Sequence, residues 1–327
     1  MMVMTSRQRM INTLTWQPVD RPPHFEHMFE LEQEAFGLSF PSREVWSAIG
    51  GDEKARLIDQ CMAVYARIIE EYHWDALPVY WPWSDPDGVT AAKRHFGDRV
   101  LIGAIVNKVL WSIDTIDDWE QFAMDLYESP EKLHTIAKLR CEQKLKHIDR
   151  LVDAGAEWIS IVDDVASNGG PFCSVEHFDQ IVTPYLHRLV ERIKQRGAFC
   201  TVHSDGNLMP VLDSILSTQP SMLHSIDPMA GMDIATVRQR TNGKVALMGN
   251  VRCDALQHGT PEEIQASAHY CLDACGHDTG YVFSSSNTIF QGMPLENYHC
   301  MLDVYRRFCD SEFQSDPTAG VVPSTHH

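Results

Sequence analysis

The sequence is poor in positive charge and has no long apolar run. Its 327 residues carry 27 Lys and Arg against 45 Asp and Glu, a formal net charge of −18. Nucleic-acid phosphates need a basic footprint, so the balance argues against such a partner. It also disfavours an anionic membrane surface. No apolar run approaches the roughly 20 residues of a membrane span, and the start, MMVMTSRQRM, lacks a signal-peptide core. CxxC knuckles, zinc-finger spacing, GxGxxG and the P-loop are all missing. The nine cysteines, an odd number scattered through core-like segments, read as reduced thiols of a cytoplasmic protein, each a buried structural residue by default. There is no linker-like stretch. One domain is therefore expected over residues 1–310, followed by a disordered tail, 311–327.

What is present is the composition of a globular protein, with 44% hydrophobic and 22% charged residues. Apolar runs at His24–Met28, Asp75–Tyr80 and Val100–Val106 read as strands in the first half. Glu157–Val162, Phe199–His203, Ser221–Ile226, Lys244–Met248 and Gly280–Phe283 follow in the second. Helical patterns separate them. Asp52–Tyr72 is amphipathic, Thr183 is expected to cap a helix, and Thr260-Pro261-Glu262-Glu263 is a capping box. Strands alternating with helices demand a parallel sheet. Eight such units predict an α/β fold, a single-domain (β/α)8 TIM barrel, with a doubly wound open sheet as the alternative.

Barrel sites lie at the C-terminal ends of the strands. Read there, the chain offers His24 and Glu26, Asp163 and Asp164, His203 and Asp205, Asp227, Asn250 and Ser284–Asn287, with Arg252 as the one nearby cation. His203 and Asp205 stand two apart on a strand, as do His24 and Glu26, so each pair is expected to share a face. Taken singly, each residue has a structural account, such as a cap at Asp227 or a turn at Asn250. The repetition over successive strand ends points to a site. Imidazole and carboxylate suit Zn²⁺ as a Lewis acid, with His203 and Asp205 the candidate ligands. Without metal the same groups serve as general acid and base. The residues leave both open. Trp81 and Trp83 either wall an aromatic or quaternary-ammonium substrate or pack a loop under Pro82 and Pro86.

Four segments resemble the uroporphyrinogen decarboxylase superfamily. They are MTSRQRMINTLTWQPVDRPP, HSDGNLMPVLDSIL, IDPMAGMDIATVRQR with GKVALMGNV, and SSSNTIFQGMPLENY. The resemblance covers nearly the whole chain, most densely Asp163–Tyr298, and implies a (β/α)8 barrel. The superfamily's decarboxylases hold a polycarboxylate with an arginine-rich segment after the first strand. Here that position reads His24-Phe25-Glu26-His27-Met28-Phe29-Glu30, which argues against porphyrinogen decarboxylation. The other branch comprises cobalamin-dependent methyltransferases. Its thiol-methylating members hold zinc with His-x-Cys and a later Cys, whereas this chain has His203, Asp205 and Ser284-Ser285-Ser286.

A harder donor set suits an oxygen substrate better than a thiol. The resemblance therefore implies a methyltransferase that takes a methyl group from a methyl ether, in the first place an aromatic one, to a corrinoid (cobalamin) on a partner protein. His203 and Asp205 would polarise the leaving oxygen. Asp163, Asp164, Glu26 or Asp227 would add a proton or ligation, and Asn250 and Asn287 would orient the substrate. A methylated amine as donor, a metal-dependent hydrolase and a non-catalytic binding barrel are the alternatives. A homodimer is allowed.

Overall fold

The computed structural model describes residues 4–82 and 85–313. In chain order its strands are β1 (Ala76–Val79), β2 (Leu101–Asn107), β3 (Trp158–Val162), β4 (Ala166–Ser167), β5 (Gly170–Pro171), β6 (Phe199–Ser204), β7 (Met222–Ser225), β8 (Ala246–Met248) and β9 (Tyr281–Val282). Seven form one parallel sheet in the order β1-β2-β3-β6-β7-β8-β9, while β4 and β5 pair as an antiparallel hairpin. Helices cover the sheet, so its strands are buried on both faces and read as near-continuous apolar runs. β2 is buried from Leu101 to Val106.

The expected first strand is an extended segment and not a regular one. His24 bridges to Phe283 and Phe29 to Ile289, both in parallel. At its other side the Asp75 amide donates to the His24 carbonyl at 2.8 Å. The segment thus hydrogen-bonds both edges of the sheet. A buried ion network holds it there: Asp75 takes Arg9 at 2.6 Å and Arg21 at 2.8 Å, and also accepts from the His24 amide. The same network ties down the N-terminal helix Ser6–Leu14.

The interior is filled in tiers. A Cβ on Gly103 would lie 1.8 Å from the Trp158 ring, so glycine is what admits the indole. Trp158 Nε1 donates to Thr201 Oγ1 at 2.6 Å, and Phe25 meets the indole edge-on at 5.4 Å. This apolar tier is the floor of the site.

Several details depart from the sequence reading. Helices Glu32–Phe36, Arg43–Ala48 and Val175–Ile181 were not expected. The last of these displaces the cap: Thr183 lies at the start of the helix Thr183–Gln195 without capping it, its hydroxyl on Asp179 at 3.0 Å. The final helix runs through Phe313, past the expected domain boundary, and the rest of the tail lies outside the described residues. All nine cysteines are free. No helix among the described residues is long and apolar enough to cross a membrane.

Candidate active site

The tier above Trp158 and Thr201 is polar. Two residues further along β3 and β6 stand Ser160 and His203, and strand register sets His224 beside His203. Paired residues of neighbouring strands point to the same face. From the opposite side the 24–29 segment contributes His27. The three rings form a triangle, with centroids 4.8 Å apart for His203–His224 and His27–His224 and 4.9 Å for His27–His203. The two Nδ1 atoms of His203 and His224 share a proton at 2.7 Å. His27 Nε2 meets Ser160 Oγ at 2.9 Å. His224 Nε2 is buried without a hydrogen-bond partner among the described residues. Burial pushes both His27 and His224 well below the ordinary imidazole range, reinforced by the neighbouring rings and opposed for His224 by the nearby Ser285 backbone.

Asp205 forms the next level, where β6 ends. Gly206 follows with φ +85°, and a Cβ there would lie 2.4 Å from the Ala166 carbonyl oxygen, so glycine lets the β4–β5 hairpin close onto the strand exit. Asp205 Oδ1 accepts from Ser225 Oγ at 2.7 Å and stands 3.8 Å from His203 Nε2. Its Oδ2 accepts from Asn287 Nδ2. The Asp205 amide donates to Asp164 Oδ1 at 3.0 Å. One donor atom each from Asp164, His203 and Asp205 lie within 4.8 Å of one another. Burial, joined by the charges of Asp164 and Asp227, pushes the Asp205 carboxyl up against the pull of His203 and Ser225. Ser225 and Ile226 sit at φ +78° and +51°, and the Ile226 carbonyl is held by Asn250 Nδ2 at 2.7 Å. A β-branched residue at positive φ is a strained backbone, here at the turn that aims Ser225 at Asp205.

Asp205 is the group that meets solvent. Its side chain is 32% exposed, against 6% for His203 behind it. It opens into a cavity of about 460 Å³ shared with Asn168, Asp227, Met229, Cys253 and Asn287. No Lys or Arg is among the described residues lining it. A larger hollow, about 920 Å³, lies at the opposite end, where Phe199, Ser221 and Val245 begin their strands, far from this chemistry.

The other expected residues are dispersed. Asp163 is turned away from the cavity: its carboxylate accepts from the Val109 and Leu110 amides at 2.6 and 2.8 Å, and burial pushes it up to about 7. Glu26 and His24 do not face the tier, because Phe25 and His27 do. Glu26 is buried against Ser284 and Ser285 and is pushed up to about 8 by burial. His24 meets Phe283 and the final-helix residues Tyr298 and Tyr305. Asn250 spends its other end on Cys271, and Arg252 pairs with Asp254. Asp227 lines the cavity while accepting from the Gly206 and Met229 amides. Trp81 is buried, its Nε1 on the Pro41 carbonyl at 2.7 Å, beside a separate cavity of about 550 Å³. Trp83 lies outside the described residues. His27, His224, Ser225 and Cys253 were missed. The parallel wording of VHSD at 202–205 and LHSID at 223–227 was the available signal for His224 and Ser225.

Comparisons with known proteins add the following. Residues 101–308 match the family described as Uroporphyrinogen decarboxylase (URO-D). The uroporphyrinogen decarboxylase of Nitrosomonas europaea is 28% identical over 196 residues, 57% of this chain and 51% of that one. The uroporphyrinogen decarboxylase of Neisseria meningitidis is 28% identical over 230 residues, 66% and 62% of the two chains. The chain thus spans about half to three-fifths of the length of these relatives. A solved methyltransferase from Methanosarcina mazei superposes with a TM-score of 0.68 at 17% identity, covering 93% of this chain and 99% of that one, a likeness of fold.

Proposed function

The chain belongs to the uroporphyrinogen decarboxylase family, and from that premise we propose that it is a corrinoid-dependent methyltransferase. It takes a methyl group from a small methylated compound, in the first place an aromatic methyl ether, and passes it to a corrinoid carried by a partner protein. With this goes a reading of the fold as a closed (β/α)8 ring. The 24–29 segment would hold the eighth position, since it bonds both sheet edges.

The observation that carries the reading is the cavity at Asp205, lined by carboxylates, amides and the apolar Met229 and Phe290, with no Lys or Arg among the described lining residues. A polycarboxylate would meet Asp205 and Asp227 there, and the nearby Arg252 is already paired with Asp254. A neutral ether fits that lining. An ether oxygen leaves poorly unless it is protonated or polarised as its C–O bond breaks. Asp205 opens into the cavity beside His203, and burial raises its carboxyl pKa, which suits a group that passes a proton to such an oxygen. Ser225 and Asn287 fix its orientation, and His203 Nε2 stands 3.8 Å away. Asn287 also lines the cavity and can contact the substrate.

The donors on the cavity side, one imidazole and two carboxylates at Asp164, His203 and Asp205, fit a zinc-type ion. Such an ion would supply Lewis-acid polarisation of the leaving oxygen. The corrinoid supplies the methyl-accepting cobalt when its protein docks at the mouth. Met229, 52% exposed at the rim, offers that partner an apolar contact. A metal-dependent hydrolase is the second reading, favoured by the same donor set.

The test is anaerobic mixing with a reduced corrinoid and a panel of methoxylated aromatics and methylated amines, followed by the absorbance change on methylation of the cobalt. Transfer from an ether supports the reading, and transfer from an amine moves the substrate. Silence with a partner shown to be competent, together with metal-stimulated ester or lactone cleavage, replaces it with the hydrolase.

A further inference from the structure

The polar tier beneath Asp205 holds a second donor set, on the opposite edge of the same imidazole. We propose that His27, His203 and His224 bind a divalent transition-metal ion of the zinc or cobalt kind, with His203 ligating through Nδ1. The proposal does not rest on methyl transfer.

Three observations support it. One donor nitrogen from each ring lies within 4.8 Å of the other two. All three side chains are buried, at 3%, 5% and 0% exposure for His27, His203 and His224. Two of the rings meet nitrogen to nitrogen, His203 Nδ1 on His224 Nδ1 at 2.7 Å, with His27 Nε2 on Ser160 beside them. A nitrogen-to-nitrogen pair holds together only with a proton between its two atoms, and an ion held by three imidazoles from three separate segments takes that proton's place. Tetrahedral Zn–N bonds of about 2.0–2.1 Å place ligand nitrogens about 3.4 Å apart. The 2.7 Å pair would open and the widest pair close, ring movements on the order of 1 Å.

The two donor sets exclude each other, since a neutral His203 has a single lone pair. The inner set has the stronger claim. On the cavity side the Asp205 oxygens already accept from Ser225 and Asn287, and Asp164 Oδ1 from the Asp205 amide. With Nδ1 on the ion, the His203 proton resides on Nε2 and faces Asp205. This is the carboxylate–histidine–metal arrangement in which the outer group orients the ligand. Asp205 and Asp164 then compensate the ion's charge.

The test is X-ray absorption on the zinc-loaded wild-type protein, with Co²⁺ titration of the His224→Ala and Asp205→Asn variants. The expected result is one ion per chain with a shell of three imidazoles. His224→Ala should abolish the tetrahedral Co²⁺ absorption, and Asp205→Asn should retain it with affinity weakened about 10–100-fold. A shell of one imidazole and oxygens overturns the proposal in favour of the cavity side, as does failure of the wild type to bind either ion. The wild-type spectrum decides even where a variant does not fold. Methyl-transfer activity is read separately, so failure of that function leaves this result interpretable.

Discussion

Replacing Glu26 by Gln should change how stability depends on pH, in a way that only a buried neutral carboxyl produces. Glu26 is completely buried. Its Oε2 accepts from the Ser285 amide at 3.0 Å and lies within reach of both the Ser284 and Ser285 hydroxyls, while Oε1 has no partner among the described residues. Burial holds the folded-state pKa at about 8. An unfolded glutamate titrates near 4.3. Below that value both states are protonated and Glu26 costs nothing. As pH rises the unfolded chain loses its proton first. Between about pH 4.3 and 8 the folded state therefore binds one more proton than the unfolded, and stability falls by up to roughly 1.4 kcal/mol per pH unit. Past about pH 8 the loss is complete.

Glutamine has the same shape but does not titrate. Its NH₂ brings two donors to the Oε1 position, which has no partner among the described residues, at a cost on the order of 1–3 kcal/mol. Urea melts at pH 5, 6, 7 and 8 should therefore cross. Glu26→Gln should be the less stable protein near pH 5 and the more stable near pH 8, by roughly 2–3 kcal/mol after discounting for water penetration. Other titrating groups act alike in both proteins and cancel in the difference. Parallel stability curves between pH 5 and 8 would show that Glu26 is ionised in the fold and refute the reasoning.

Other substitutions separate chemistry from support. His203→Ala should lower methyl transfer by at least roughly 100-fold while circular dichroism stays that of the wild type. Retained turnover would remove His203 from the chemistry. Asp163→Ala should unpair the Val109 and Leu110 amides and destabilise the fold by roughly 1–3 kcal/mol in thermal melts. Because Asp163 is turned away from the 460 Å³ cavity, turnover below the melting range should stay within a few-fold of wild type. Gly103→Ala should drive a methyl into Trp158 and cost about 1–3 kcal/mol or more, read by urea unfolding, and an unchanged midpoint would contradict the tier packing.

The strands were legible because a sheet buried on both faces writes itself as apolar runs with little polar interruption. Phe199–Ser204 and Trp158–Val162 fall within a residue of the expected spans, and β7, β8 and β9 lie inside theirs. The positions of Asp205 and Asp164 at strand ends were legible for the same reason. Loop chemistry was not. The unforeseen helix Val175–Ile181 took over the connection after β5, and Thr183 lost the capping role its neighbours in sequence suggested.

Phase was the harder quantity. His24-Phe25-Glu26-His27 presents a histidine in either alternation, so the segment alone cannot say whether even or odd residues face inward. Its partners decide: Phe25 finds Trp158 and His27 finds Ser160, whereas His24 finds the final helix. The adjacent pair Asp163-Asp164 poses the same question three strands later, after β3. There the Val109 and Leu110 amides claim Asp163, leaving Asp164 beside Asp205. In each case the deciding group lies on another strand or loop, at a distance in sequence that no local period encodes. The same reasoning gives the histidine tier its significance. His203 was visible as half of a His-x-Asp pair. Register places His224 beside it and the 24–29 segment brings in His27, which joins a pair read as acid and ligand to a ring of three imidazoles.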